Sequence, residues 1–119
     1  MQIGDQDMYI SNKKEWKRNK NVKSMLIMSR KTKTALDAGK DTTHADPIDY
    51  DDIKQFIETH KKTLFKGADR YQINVLTEVG WRSGKRFGNG EPVDWVSWST
   101  YNDKDEDIDE VIAIEILYW

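Results

Sequence analysis

The chain of 119 residues contains no cysteine, and this absence removes several kinds of chemistry. Disulfide bonds, thiolate nucleophiles and cysteine-ligated zinc or iron–sulfur centres all require that side chain. The lack of cysteine fits a protein of the cytoplasm, where disulfides are rare, although many secreted proteins have none either. We therefore expect a cytoplasmic protein without cysteine-ligated metal centres. No motif in the sequence predicts a cofactor or another metal ion.

Long apolar segments are missing as well. The longest wholly apolar runs have about four residues, as at 25–28, whereas a helix needs about 20 to cross a bilayer. The first ten residues contain two acids and no base, so they lack the basic start of a signal peptide. The sequence therefore predicts a soluble protein without a membrane partner.

What the sequence does contain is charge and aromatic rings in the proportions of a small globular domain. Charged residues make up 34% of the chain and aromatic residues 11%, and the mean hydropathy is −0.85. A chain of this length can bury enough apolar surface to fold without disulfides. We expect residues 1–119 to form a single domain with a hydrophilic surface.

The net charge of −2 conceals blocks of alternating sign. The net charge is +6 over residues 1–40, −5 over 41–60, +5 over 61–90 and −8 over 91–119. Two interpretations stay open: neighbouring elements neutralise one another, or the folded protein has separate basic and acidic faces. The overall acidity, with a pI of about 5.7, counts against general binding of duplex DNA.

The clearest helix is predicted for residues 47–66. Asp46 would cap it, Pro47 suits its first position, and Gly67 would end it. The side chains expected on its buried face recur with the helical period. They are Ile53, Phe56, Ile57, His60 and Leu64.

Strand patterns lie on both sides of this helix. From 71 to 79 polar and apolar residues alternate, which places Tyr71, Ile73 and Val75 on one face. Further strands are predicted at 22–29, 93–101 and 111–119. The strands that follow the helix would form an antiparallel meander. The predicted fold class is α+β, an antiparallel sheet packed on one face by the principal helix.

The N-terminal part is predicted to be a short strand at 8–10 followed by a short basic helix. Ser11 would cap this helix, residues 12–19 would form it, and Trp16 would be its large apolar anchor. Residues 30–46 are polar and rich in threonine, and they are predicted to form a long surface loop.

Two patterns resemble known binding loops but lack required residues. Residues 80–86 are not a nucleotide-binding P-loop, because only three residues separate the glycines and Arg86 stands where Ser or Thr is needed. The acidic run 103–109 lacks the Gly and Glu of an EF-hand loop. We interpret it as a solvated turn, with a weak cation site as the alternative.

Catalytic patterns are equally sparse. His44 could form an orienting pair with Asp46 or be no more than its neighbour, and His60 fits a partly buried position on the helix. A pair of carboxylates could still act as acid and base, but no spacing selects one. We therefore favour a protein that is not an enzyme.

The strongest functional pattern follows the strand at 71–79. An aromatic ring among cations, on what we predict to be a hairpin tip, suits a flat anionic ligand. The candidate ligand-binding residues of this tip are Trp81, Arg82, Lys85, Arg86 and Phe87. Further candidates are Trp16, in a second basic run, and Trp95 and Trp98.

Two functions stay open, beside a purely structural interpretation in which Trp16 and Trp81 anchor the core. In the first, a ring stacks on a base and the cations hold phosphate, so the protein binds a nucleotide or single-stranded nucleic acid. In the second, it binds another protein as an inhibitor or adaptor, because it has more tryptophans and tyrosines than one core face needs.

The acidic segment 94–110 would then imitate nucleic acid, as small inhibitor proteins of phages and other mobile elements do. Trp95 and Trp98 are three residues apart, so a strand would present them on opposite faces. Trp119 is expected to dock on the core or on a partner chain. These surplus rings indicate a homo-oligomer.

Overall fold

A computed structural model describes residues 2–3, 6–13, 22–40, 45–77, 80–93 and 111–119. The chain is α+β, as predicted. Its elements, in chain order, are the strands β1 (Gln2–Ile3), β2 (Gln6–Lys13) and β3 (Lys23–Ser29), the helices α1 (Arg30–Asp37) and α2 (Tyr50–His60), and the strands β4 (Arg70–Thr77), β5 (Gly80–Gly88) and β6 (Ala113–Tyr118). No helix within these ranges is long and apolar enough to cross a membrane.

The strands form one antiparallel sheet in the order β1-β2-β3-β6-β4-β5. The strands β3, β4 and β6 confirm the strands predicted at 22–29, 71–79 and 111–119. The predicted meander of the strands after the helix is wrong, because β6 lies between β3 and β4. Its Ile116 stands opposite Met25 on one side and Ile73 on the other. Apart from Glu115, every residue of β6 is buried, which suits a central strand. Of the strand predicted at 93–101, only Val93 is among the described residues.

The hydrophobic core lies between α2 and one face of the sheet, which we call the core face. Tyr71, Ile73 and Val75 of β4 point to this face and are fully buried, as the alternating pattern predicts. Ile53 and Ile57 of α2 are equally buried and belong to the same cluster. Each such side chain stabilises the fold by about 1.5–3 kcal/mol.

Helix α2 is shorter at both ends than the predicted helix 47–66. Its N-cap is Asp49 instead of Asp46, with a carboxylate that accepts hydrogen bonds from the next amides of the helix. The segment before Asp49 is not part of the helix, because the Ile48 amide donates a hydrogen bond to the Val111 carbonyl at 2.7 Å. Beyond the helix, residues 61–67 form turns in which Phe65 is buried and Leu64 is 37% exposed. Leu64 was predicted on the buried face, so that assignment is wrong.

Residues 30–37 form the helix α1, whereas the sequence predicted a loop. The Ser29 hydroxyl caps it by accepting a hydrogen bond from the Thr32 amide at 3.0 Å. Lys33 and Asp37, one turn apart, form an ion pair at 2.7 Å. The helix buries only Thr32 and Ala35, so it has no apolar stripe that a sequence pattern would reveal.

The predicted N-terminal helix is wrong at its start. Strand β2 runs through Ser11 to Lys13, and its last residues pair with Met25 and Ser24 of β3. The ladder to β3 satisfies the backbone groups that a helix would otherwise use. The rest of the predicted helix, with Trp16, lies outside the described residues.

Candidate functional site

The sheet has a second face, opposite the core face, where β4 and β6 present both polar and apolar side chains. Successive side chains of a strand point to opposite faces of the sheet. Gln72 and Asn74 therefore point away from the core, to the face opposite the core residues of β4. The register places Gln72 beside Leu117 and Asn74 beside Glu115. We call this surface the second face.

The segment predicted as a hairpin tip is instead the strand β5, which pairs with β4 along its length. The register shifts between Gln72 and Asn74, so that Gly84 and Lys85 together oppose Ile73. Such a bulge accommodates one extra residue and reverses the facing of those that follow. Gly84, which the sequence pattern indicated as part of a turn, therefore lies inside β5.

This bulge sorts the predicted tip residues between the two faces. Arg82 pairs with Val75 and Phe87 pairs with Tyr71, so both lie on the side of the core face. Phe87 is 2% exposed and stacks on the Tyr71 ring with 5.3 Å between the ring centroids. The expectation that Phe87 contacts a ligand is therefore corrected: its ring is part of the core.

The other tip residues remain accessible. Trp81 pairs with Leu76 on the second face and is 51% exposed. Arg86 pairs with Gln72 on the same face, and Lys85 is exposed at the bulge. The structure thus brings Trp81 and Arg86 to one face and separates them from Arg82. The predicted site residues Trp16, Trp95 and Trp98 lie outside the described ranges, as do His44 and the acidic run 103–109.

A cavity of about 350 Å³ lies on the second face. That volume is at the lower end of small-molecule sites. One side of the cavity is apolar and the other carries hydrogen-bonding groups. Within the described part of the chain the lining residues are Val22, Leu117 and Trp119 on the apolar side and Gln72, Asn74, Ser83 and Arg86 on the polar side.

Arg86 lies against the indole of Trp119 at this cavity. The guanidinium carbon is 5.4 Å from the ring centroid, a distance typical of a cation–π contact. The Arg86 Nε donates a long hydrogen bond of 3.4 Å to the Gln72 Oε1. Among the described residues no carboxylate forms an ion pair with Arg86.

Two amides continue the polar side of the cavity towards β6. The Gln72 Nε2 donates to the Asn74 Oδ1 at 3.0 Å, and the Asn74 Nδ2 donates to the Glu115 Oε1 at 3.1 Å. The sequence prediction missed Gln72, Asn74 and Trp119. In the sequence the two amides fit the solvent-facing side of an ordinary strand. The only pattern that could have indicated a site is that both are uncharged amides on one face.

Much of the second face beyond this cavity is buried. Ser24, Met28 and Ala113, which lie on β3 and β6, are each at most 5% exposed. The residues on β4 and β5 that line the cavity are half-buried or exposed. Access to this face is therefore greatest along β5, where Trp81, Ser83 and Arg86 are exposed.

Other chemistry has little support among the residues described. They contain no group of three or more His, Asp or Glu side chains placed to hold a metal ion. His60 has its Nδ1 3.2 Å from the Thr63 hydroxyl and its ring against Phe56. These contacts give His60 a structural role at the end of α2. Comparison of the chain with protein-family models, curated proteins and solved structures gives no match.

Proposed function

We propose that this protein is a non-enzymatic binding protein whose cavity on the second face holds a flat anionic ligand. The ligand is a nucleotide or a short piece of single-stranded nucleic acid. The observation that carries the proposal is the Arg86–Trp119 pair at the cavity. Arg86 is a cation that forms no ion pair with a described carboxylate, and it lies against an aromatic ring.

The chemistry of the ligand follows from these groups. A base gains about 1–3 kcal/mol by stacking on an aromatic side chain, and an arginine binds phosphate oxygens with paired donors. Antiparallel sheets that present aromatic side chains on one face are a recurrent platform for single strands. Trp81, two residues from Ser83 on the same face, lies where a second base of a strand would reach it.

Tryptophan fluorescence provides the test of this proposal. Adenosine 5′-monophosphate and a six-residue oligodeoxynucleotide are titrated separately, and we expect saturable quenching that weakens with salt for the oligonucleotide. Arg86→Ala removes a charged hydrogen-bond donor from the cavity. It should weaken binding about tenfold or more, equivalent to about 1.4 kcal/mol or more.

Lys85→Ala is the matched control for Arg86→Ala. It removes the same charge from the neighbouring position, but Lys85 is exposed at the bulge and does not line the cavity. We expect its effect to be threefold or less, about the size of a screened surface interaction. Equal losses for the two variants would show general electrostatic attraction in place of a site. Absence of quenching at low salt would reject the proposal.

A second candidate function is the binding of another protein chain, including a second copy of this one. It is favoured by Trp81, a large ring that is 51% exposed on β5, which lies at the edge of the sheet that the described strands form. Tryptophan is enriched at interface hot spots, and an edge strand has unpaired backbone groups. Sedimentation of the wild-type protein and of Trp81→Ser tests the homo-oligomer. A monomer at every concentration would reject it.

A further inference from the structure

Four side chains on the second face form one continuous row of hydrogen bonds. It runs from Arg86 to Gln72, from Gln72 to Asn74, and from Asn74 to Glu115, with donor–acceptor distances of 3.4, 3.0 and 3.1 Å. The row crosses three strands, from β5 through β4 to β6. Its members are not consecutive in the chain, so the fold alone brings them together.

The direction of this row is fixed at both ends. A guanidinium can only donate hydrogen bonds, and an ionised carboxylate can only accept them. The Gln72 oxygen must therefore face Arg86, and the Asn74 nitrogen must face Glu115. The two amides then meet with the nitrogen of Gln72 towards the oxygen of Asn74. A flip of either amide would set two donors or two acceptors against each other.

Fixing the amides leaves an excess of donors at the cavity. Each amide nitrogen uses one N–H in the row and keeps another, and Arg86 keeps both terminal NH₂ groups. None of these groups has an acceptor among the described residues. Ser83 adds a hydroxyl on the same side. A polar wall rich in donors suits an oxyanion.

We propose that this row makes the cavity selective for a phosphate joined to a planar ring, with Glu115 as the positioning residue that sets the direction of the row. The phosphate contacts Arg86 and the amide donors, and the ring lies on the apolar side formed by Val22, Leu117 and Trp119. Both the mononucleotide and one unit of a strand have this chemistry. The inference rests on the proposed function and refines its ligand.

The role of Glu115 can be separated from its charge. If Glu115 acted only as a nearby negative charge, it would repel an anion, and its removal would tighten binding. If it positions the amides, removal of its acceptor oxygen weakens binding. The two roles predict changes of opposite sign for the same substitution.

The experiment compares Glu115→Met with Glu115→Gln. Both remove the charge, but only Gln keeps an oxygen that can accept from Asn74. With adenosine 5′-monophosphate as the probe, we expect Glu115→Met to weaken binding about three- to tenfold and Glu115→Gln to bind as well as wild type or better. Tighter binding by both variants, or no change in either, would overturn the positioning role.

Gln72→Met provides a second variant that changes no charge. It removes the acceptor that holds the Arg86 Nε and the donor to Asn74. We expect it to weaken binding of adenosine 5′-monophosphate by a similar factor, about three- to tenfold. Circular dichroism shows whether each variant is folded. Binding equal to wild type would contradict the role of the row.

Further probes identify the ligand chemistry. Adenosine, which lacks the phosphate, should bind at least about tenfold more weakly than its monophosphate, and equal affinities would overturn selectivity for an oxyanion. Inorganic phosphate should compete at high concentration. The six-residue oligodeoxynucleotide distinguishes the sources: affinity above that of the mononucleotide assigns the site to a strand, and equal affinity assigns it to a single nucleotide.

A measurement without ligand separates this inference from the proposed function. The side-chain amide signals of Gln72 and Asn74 in ¹H–¹⁵N spectra should shift in Glu115→Met and much less in Glu115→Gln. If these shifts occur and no probe binds wild type, the row is present but the ligand site is rejected. If binding occurs and the shifts do not, the site stands and the role of Glu115 is rejected.

Discussion

At the scale of single residues, Tyr71 combines favourable packing with an unfavourable buried group. Its side chain is fully buried, stacked on Phe87 and edge-on to Phe65 with 5.9 Å between centroids. Its hydroxyl is buried and has no hydrogen-bond partner among the described residues. A polar group in that state costs about 1–3 kcal/mol. The ring therefore stabilises the core and the hydroxyl opposes it.

Replacement of Tyr71 by phenylalanine should stabilise the protein. We expect Tyr71→Phe to raise the free energy of unfolding by about 1 kcal/mol, because the ring contacts stay and the unpaired hydroxyl is lost. Urea denaturation followed by tryptophan fluorescence measures the change. Tyr118→Phe is the control, since Tyr118 keeps 9% exposure, and its effect should be smaller. A loss of stability in Tyr71→Phe would indicate that the hydroxyl has a partner.

At the scale of elements, the sequence predicts best where burial follows a simple period. The alternation in β4 and the helical repeat of Ile53, Phe56 and Ile57 report directly which face is buried. Helix α1 escapes prediction because its buried residues are Thr32 and Ala35, which are not typical core residues. Strand β5 escapes because its glycines resemble turn signals.

The residues of the candidate site also divide into those that the sequence predicts and those that it does not. Composition alone selects Trp81 and Arg86, because rings and cations stand out in a sequence. Which face they occupy depends on the bulge opposite Ile73, and a one-residue change of register reverses every side chain beyond it. Gln72 faces Arg86 because of the register of the β4–β5 hairpin. Trp119 joins the site only because β6 pairs with β4, and no local pattern encodes the pairing of strands so distant in the chain.

The start of β5 gives a prediction about an element boundary. Gly80 has φ of +111°, a conformation that residues with a side chain rarely adopt, and a Cβ there would meet no atom within 4 Å. We expect Gly80→Ala to lower the free energy of unfolding by about 1–2 kcal/mol through backbone strain alone. Chemical denaturation provides the measurement.

Gly90→Ala is the matched control for this boundary. A Cβ at Gly90 also meets nothing within 4 Å, but the backbone of Gly90 has no positive φ. We expect a change close to zero or a slight stabilisation, since alanine restricts the unfolded chain more than glycine does. Equal destabilisation by both substitutions would rule out strain at Gly80 as the cause.

At the scale of the whole molecule, stability should fall in strong alkali. Burial raises the pKa of Tyr71 and of Tyr118 above the ordinary value of 10.0, and for Tyr71 the charges of Glu58 and Asp69 add to the effect. Above pH 10 the unfolded chain loses these protons while the folded protein keeps them. The free energy of unfolding therefore decreases as the pH rises from 10 towards the folded-state pKa values.

Urea denaturation at pH 9, 10 and 11 tests this dependence. We expect the wild-type protein to lose stability over the upper interval, and the double variant Tyr71→Phe/Tyr118→Phe to lose less. The difference between the two proteins isolates the phenols from the deprotonation of lysines. Parallel pH profiles would show that burial of these hydroxyls does not couple to stability.

The position of β6 also determines how the sheet can be assembled. The hairpins β2–β3 and β4–β5 each join strands that are neighbours in the chain. In the sheet of the described strands, β6 lies between the two hairpins and pairs with both. A fragment of residues 1–110 should therefore remain unfolded by circular dichroism. A synthetic peptide of residues 111–119 should restore the folded signal when added at increasing concentration. A fragment that folds alone would contradict this dependence.

If complementation succeeds, β6 can be separated from the rest of the chain and added back to complete the fold. Supplying nine residues in trans would close both hairpins into one sheet. It would at the same time bring Leu117 and Trp119 to the cavity and Glu115 to Asn74. Folding and ligand binding would then be switched together by the concentration of one short peptide. The two parts would then be joined without a covalent bond, by backbone pairing and by the buried side chains of β6.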